Sequence, residues 1–119
     1  MSSAMRSIIF EIDDGTNISR GLFEFTRRRG VGICVLGGYG VVSQVTLRQS
    51  DERTLILNGR FTILSISGTI LPPPTPESAE SLTVYVSDTT GQVISGIVVP
   101  PLVASGLVVL AAASFSNVA

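Results

Sequence analysis

The stretch 59–71, which reads GRFTILSISGTIL, constrains the fold of this chain more than any other. Its side chains alternate between two sides, as they do along a β-strand. The two sets are Phe61, Ile63 and Ser65 on one side, and Thr62, Leu64 and Ile66 on the other. Both sets contain apolar residues, which predicts a strand in the middle of a sheet, or one with a face covered by another subunit. Prolines 72–74 end the strand because they have no N–H to donate.

The composition indicates more apolar surface than a chain of this length can bury. Of 119 residues, 45% are hydrophobic and 14% are charged, whereas an average soluble domain is about 25% charged. The length predicts a single domain with one core. The surplus must therefore enter a membrane or a subunit interface. We favour the interface, because Pro100 and Pro101 interrupt the uncharged stretch 96–113 and leave an apolar piece about half the ~20 residues that a span needs.

Charge and residue types argue against several function classes. The net charge is −1, so the chain as a whole is not an electrostatic match for nucleic acid. Histidine is absent, which removes the commonest zinc ligand and the usual general base. Cys34 lies in an apolar run and is expected to be a small buried residue of a strand. Glu11 and Asp13 share the polar face of a strand, so we expect no enzyme, no metal site and no cofactor.

Periodicity predicts one main helix and seven to eight strands. Residues 17–29 carry apolar side chains at helical spacing, with Thr16 or Asn17 placed as a cap and Gly30 as the stop. The predicted strands are residues 6–13, 31–36, 41–49, 54–58, 59–71, 81–87, 92–99 and 107–115. Residues 71–79 read as a proline-rich surface loop. These elements predict an α+β domain with a largely antiparallel or mixed sheet.

The segment Gly37-Gly38-Tyr39-Gly40 admits two interpretations. A phosphate-binding loop would need a following Lys-Ser or Lys-Thr and a helix, and neither is present. The segment lies between two predicted strands. We therefore expect it to form a hairpin turn.

Four arginines are candidates for contacts with another molecule. Arg27, Arg28 and Arg29 end the predicted helix, where they are either solvated or in contact with nucleic acid or a partner protein. Arg60 enters the most hydrophobic strand and is the only charge between Arg53 and Glu77. It has either an intrachain partner or solvent at the strand end, or it meets a partner across an interface.

Seven short motifs occur here in a particular order. They are Arg27-Arg28-Arg29, Ile33-Cys34-Val35-Leu36, Leu47-Arg48-Gln49, Gly59 to Ser65, Leu71-Pro72-Pro73-Pro74, Gly91-Gln92-Val93 and Ala113 to Ala119. In this order and spacing they resemble the plant and prokaryote conserved (PPC) domain of plant AT-hook motif nuclear-localised proteins. The resemblance covers residues 6–119, and residues 1–5 are expected to be an N-terminal extension.

The resemblance implies a fold, an assembly and a role. It implies an α+β domain that assembles as a homotrimer, or as a heterotrimer with paralogues, which suits the apolar surplus. It further implies a nucleus-localised transcription regulator, in which an AT-hook of sequence Arg-Gly-Arg-Pro binds AT-rich DNA while this domain recruits other nuclear transcription factors. The family's recruiting hexapeptide, Gly-Arg-Phe-Glu-Ile-Leu, falls here on Gly59, Arg60, Phe61, Thr62, Ile63 and Leu64.

Two departures from the family pattern bear on recruitment and on DNA binding. Thr62 stands where the family has glutamate, so recruitment that depends on that charge is in question. No Arg-Gly-Arg-Pro occurs, so this chain is not expected to bind DNA through an AT-hook.

The leading hypothesis is a trimeric, non-catalytic interaction domain of a nuclear regulator, with no membrane association. The alternative is a small-molecule or metal-binding protein of the prokaryotic PPC type, against which the missing histidines argue. A designed scaffold on this fold is the third interpretation.

Overall fold

The computed structural model describes residues 5–76 and 81–116. This part of the chain contains one helix and ten strands. They are β1 (Arg6–Ile12), α1 (Ile18–Arg29), β2 (Gly32–Tyr39), β3 (Val41–Ser43), β4 (Val45–Arg48), β5 (Thr54–Leu57), β6 (Phe61–Ile70), β7 (Ser81–Ser87), β8 (Val93–Val98), β9 (Val103–Ala104) and β10 (Val108–Phe115). The predicted α+β class is confirmed.

The ends of α1 are determined by local residues. The Asn17 side chain accepts a hydrogen bond from the Arg20 backbone N–H at 3.3 Å, which satisfies one free donor of the first turn. At the other end Gly30 has φ 66°, and its N–H donates to the Thr26 carbonyl at 2.8 Å. The predicted helix, with its cap and its stop, is confirmed.

The sheet is antiparallel, with the strand order β1-β10-β2-β6-β7-β8-β4-β5. β3 pairs with β6 and with β9. β6 therefore has three neighbours, β2, β3 and β7, and its predicted central position is confirmed. The strand β9 was not predicted, since two residues show no periodicity.

One face of the sheet, the inner face, carries the hydrophobic core. Helix α1 packs against it through Ile18, Leu22 and Phe23, all nearly inaccessible to solvent. Phe10 of β1 contacts Phe25 of α1 edge to face, with ring centres 5.0 Å apart. The opposite face, the outer face, has no covering element in the described residues.

A bulge changes which residues of β6 face the core. Ile63 pairs with Val86 and Ser65 pairs with Tyr85, so Leu64 has no partner on β7. After the bulge Ile66 lies on the inner face, 1% exposed, on the same side as Ile63. The prediction that Ile66 faces away from Ile63 was wrong, because strict alternation does not allow for an extra residue.

The segment Gly37–Gly40 is not a hairpin turn, and that prediction was wrong. β2 continues to Tyr39, and β2 and β3 pair with β6 and other strands rather than with each other. Gly38 lies so close to β10 that a Cβ there would approach the Val109 carbonyl oxygen to 2.6 Å. This glycine serves close strand packing, which the sequence pattern cannot distinguish from a turn.

Two further strand boundaries differ from the sequence interpretation. The predicted strand 41–49 is broken at Gln44, whose φ of 51° separates β3 from β4. The predicted strand 31–36 extends to Tyr39 in the structure. It contains a bulge at Leu36, which has no partner on β10 because Ala111 pairs with Gly37 and Ala112 with Val35.

Candidate partner-binding surface

The outer face collects large apolar side chains that no described residue covers. The described residues include ten exposed large hydrophobic side chains, of which seven belong to strands and point to this face. They are Ile9, Leu36, Tyr39, Ile56, Leu64, Tyr85 and Val93. Leu36 and Ile56 are 65% and 73% exposed.

Strand register explains why these residues share a face. Paired residues of an antiparallel sheet point to the same side. Tyr85 pairs with Ser65 and with Ser95, and Ile9 pairs with Ala111. The two bulges add Leu36 and Leu64 to this side, since each is the extra residue that follows an inner-face residue, Val35 or Ile63. Large apolar side chains exposed together on one face are typical of interaction sites.

The proposed hexapeptide is divided between the two faces. Phe61 and Ile63 are 7% and 4% exposed and belong to the core. Gly59, Arg60, Thr62 and Leu64 are exposed. Only these four are available to a partner, while Phe61 and Ile63 fix the strand to the core.

Arg60 lies at the entrance of β6 and is exposed. It forms no ion pair with the residues that the structure describes. Within one chain this matches the solvated strand end, one of the two interpretations that the sequence left open. Its guanidinium, with five donors, is available to a carboxylate or a carbonyl of another molecule.

The three arginines at the end of α1 are exposed, and two of them stack on rings. The guanidinium carbon of Arg27 lies 5.6 Å from the centre of the Phe23 ring, and that of Arg29 lies 5.1 Å from the centre of the Phe25 ring. Arg28 lines a groove on each flank of the helix. The arrangement orders cations at the end of α1 without burying them.

The remaining candidate residues show no catalytic arrangement. Cys34 lies in β2 as predicted but is only partly buried, on the outer face, with Sγ 3.6 Å from Thr69 Oγ1. Glu11 and Asp13 are exposed. Among the described residues, no group of three or more Cys, Asp or Glu side chains is placed to hold a metal ion. The same residues include no helix of the length and apolarity needed to cross a membrane.

Asp88 organises the turn between β7 and β8. Its Oδ1 accepts hydrogen bonds from the Thr90 hydroxyl at 2.7 Å, the Thr90 N–H at 2.8 Å and the Gln92 N–H at 3.0 Å. The Thr90 hydroxyl bond and the backbone N–H bonds lower the pKa of this carboxyl below its usual value, because they favour the charged form. The turn holds Tyr85 and Val93 in place on either side of the hairpin.

The fold and this surface define a class: an α+β domain with a central antiparallel sheet, an apolar outer face and no assembled catalytic set in the described residues. Comparison with known proteins identifies the family. Residues 1–116 match the model of the Plants and Prokaryotes Conserved (PCC) domain, and the chain belongs to that family. The family resemblance seen in the motifs is confirmed.

The chain is similar to plant nuclear proteins that are longer than it is. It is 46% identical over 124 residues to AT-hook motif nuclear-localized protein 22 of Arabidopsis thaliana, covering 99% of this chain and 39% of that protein. The identity to protein 26 of the same series is 48% over 121 residues, covering 99% and 36%. The chain thus spans about two fifths of the relatives it matches.

A solved structure confirms the fold. The plant- and prokaryote-conserved protein of Pyrococcus horikoshii superposes with a TM-score of 0.78 over 98% of this chain and 84% of that one. The two sequences are 14% identical, so the likeness concerns the fold alone.

Proposed function

We propose that this chain is a non-catalytic oligomerisation and protein-interaction domain of a nuclear AT-hook transcription regulator. The observation that carries the proposal is the outer face, where seven large apolar side chains are exposed on an otherwise well-packed sheet. The similarity to plant proteins named for an AT-hook and for nuclear localisation supports the nuclear role.

The assembly we propose is a homotrimer, or a heterotrimer with paralogues, that buries the outer face and leaves the start of β6 open. Each Å² of apolar surface removed from water contributes about 25 cal/mol, so burial of this face favours association. Tyr39 and Tyr85 add amphipathic side chains of the type enriched in interfaces. A closed assembly also prevents the face from recruiting further copies indefinitely.

Arg60, Thr62 and Leu64 form the recruiting surface in this proposal. They are exposed next to one another at the start of β6, and the buried Phe61 and Ile63 hold them in position. Thr62 supplies a hydroxyl in place of the family's carboxylate. Recruitment of other nuclear transcription factors through this segment therefore relies on Arg60 for charge.

Contact with AT-rich DNA is assigned to an AT-hook, and no Arg-Gly-Arg-Pro occurs within these 119 residues. The chain should show no affinity for AT-rich duplex at physiological salt. Weak binding at low salt that disappears when salt is added would indicate only attraction of phosphates by the arginines.

Mixed assembly tests the proposal. This chain and full-length AT-hook motif nuclear-localized protein 22 of Arabidopsis thaliana are co-expressed with different affinity tags, and the complexes are purified through both tags in turn. Mixed complexes of three chains are expected after the second tag, and self-complexes of three chains are expected in the fraction that only one tag retains. Folded proteins that form neither would contradict the proposed assembly.

A further inference from the structure

The edge strand β1 lies beside α1, and a groove separates them. β1 pairs with β10 only and forms one end of the sheet. The groove has a volume of 230 Å³. Its lining includes Phe10 and Ile12 from the strand and Gly21, Leu22, Phe25 and Arg28 from the helix. We call it the α1–β1 groove.

The strand side of this groove offers backbone hydrogen-bonding groups. In an antiparallel pair, alternate residues direct their N–H and C=O groups away from the partner strand. Among the described residues, none outside β10 forms a backbone hydrogen bond with β1. The free edge of β1 can therefore accept one more strand, which is a recurring way in which sheets bind extended peptides.

The helix side provides space at one position. Gly21 lies in the interior of α1, where glycine costs up to about 1 kcal/mol relative to alanine. A Cβ at this position would have no neighbouring heavy atom within 4 Å. The edge-to-face contact of Phe10 and Phe25 forms a fixed apolar wall next to this space. The groove can accommodate one large apolar side chain.

Charge indicates what accompanies that side chain. Glu11 and Asp13 are exposed along the strand rim, while Arg28 is the only cation in the lining. A peptide on the free edge of β1 would run alongside both carboxylates. A lysine or arginine in that peptide complements them.

We propose that the α1–β1 groove binds an extended segment of a partner protein, which adds to β1 as a strand. One large apolar side chain of the segment packs over Gly21, and a neighbouring lysine or arginine pairs with Glu11 or Asp13. This site goes beyond the proposed function, because neither the exposed apolar side chains of the outer face nor the hexapeptide takes part in it.

The opposite edge strand of a second copy fits this groove less well than a flexible segment. That strand, β5, directs Leu55 and Leu57 to its own inner face, where both are half-buried. Its exposed residue, Ile56, points to the outer face, away from a helix on the inner side. A docked β5 would bring no free apolar side chain to Gly21.

The test uses a fluorescein-labelled octapeptide, Thr-Thr-Val-Phe-Arg-Thr-Val-Thr, in an anisotropy titration against the oligomeric protein; its Phe and Arg are adjacent and therefore point to opposite faces of an added strand. Saturable binding is expected, and replacing the peptide's Phe by Ala should weaken it about tenfold or more. A peptide with proline at alternate positions should not bind, because it cannot complete the hydrogen-bond ladder.

Two matched variants separate binding from folding. Gly21→Leu places a side chain in the groove without a clash, because a Cβ there meets no heavy atom within 4 Å. This variant should not bind the octapeptide. Its urea midpoint should stay equal or rise, because leucine favours the helix. Glu24→Leu, on the other flank of α1, should leave binding unchanged. Glu11→Gln combined with Asp13→Asn should weaken binding several-fold, and less so at high salt.

Three results would overturn the proposal. The first is octapeptide binding by Gly21→Leu equal to that of the unmodified protein. The second is an equal loss in Gly21→Leu and Glu24→Leu. The third is binding that appears only at protein concentrations low enough to dissociate the oligomer. That result would make the edge of β1 a subunit contact.

Discussion

The side chains of β6 alternate between the two faces of the sheet, and the two faces differ in what covers them. On the inner face Phe61 and Ile63 are almost fully buried against the core that α1 completes. On the outer face Leu64 is 52% exposed and no described element covers it. The inner-face residues are buried within one chain. Leu64 on the outer face is equally apolar but stays exposed.

This difference separates two roles within one hexapeptide. The inner-face residues hold the segment in the fold, and the outer-face residues are available to another molecule. A substitution should therefore affect either stability or association, according to the side on which its residue lies. Substitutions on each side of β6 distinguish the two roles.

Truncation on the inner face should destabilise the fold most. Phe61→Ala leaves a cavity in the core and should lower the free energy of unfolding by about 3–5 kcal/mol. Leu64→Ala, three residues away on the outer face, should cost less than about 1 kcal/mol in the dissociated chain. Urea denaturation at a concentration where the chains are dissociated measures both, and equal losses would contradict the division.

A charge on the outer face should dissociate the assembly. Leu36→Arg places an unpaired cation in the proposed interface, where desolvation is costly, and the mass in solution should fall to that of one chain. The far-ultraviolet circular dichroism should be unchanged. Ser50→Arg adds the same charge in the exposed loop between β4 and β5 and should leave the mass as it was. Dissociation by both substitutions would mean that net charge, and not the outer face, governs assembly.

Arg60→Ala should impair recruitment more than folding. Arg60 is exposed and forms no ion pair with the described residues, so the melting temperature should change by less than about 2 °C. Co-precipitation of nuclear factors from a plant nuclear extract with this chain should fall. The same loss in Arg53→Ala, at an exposed loop position outside the hexapeptide, would show that only overall charge matters.

The smallest effect concerns the hairpin that supports Tyr85 and Val93. The pKa of Asp88 is lower in the folded chain than its ordinary 3.8, so its ionised form stabilises the fold above that pKa. This contribution is lost as the pH falls through the folded-state pKa. Asp88→Asn should therefore show a smaller loss of stability between pH 6 and pH 2.5 than the unmodified chain. An identical pH dependence would exclude a role for this carboxylate.

Local signals in the sequence were sufficient for α1 and for the central position of β6. Asn17 and Gly30 act on their own helix, and a run of apolar residues long enough to fill a strand is visible without its neighbours. The composition also indicated an apolar surplus. Its location was not predictable, because it depends on which strands become neighbours.

The failures occurred where distant strands determine the local backbone. The bulges at Leu36 and Leu64 are defined by register against β10 and β7, which no short window of sequence contains. Gly38 looked like a turn residue because its close neighbour, Val109, is far along the chain. Gly21, inside a predicted helix, was the one signal that could have directed attention to the α1–β1 groove.

Light scattering across a dilution series measures whether the outer face is a subunit interface. If the outer face is a subunit interface, the chain has the mass of three copies at high concentration and dissociates only on strong dilution, while Leu36→Arg has the mass of one. A chain that remains a well-behaved monomer at every concentration, with its outer face exposed to water, would contradict the account.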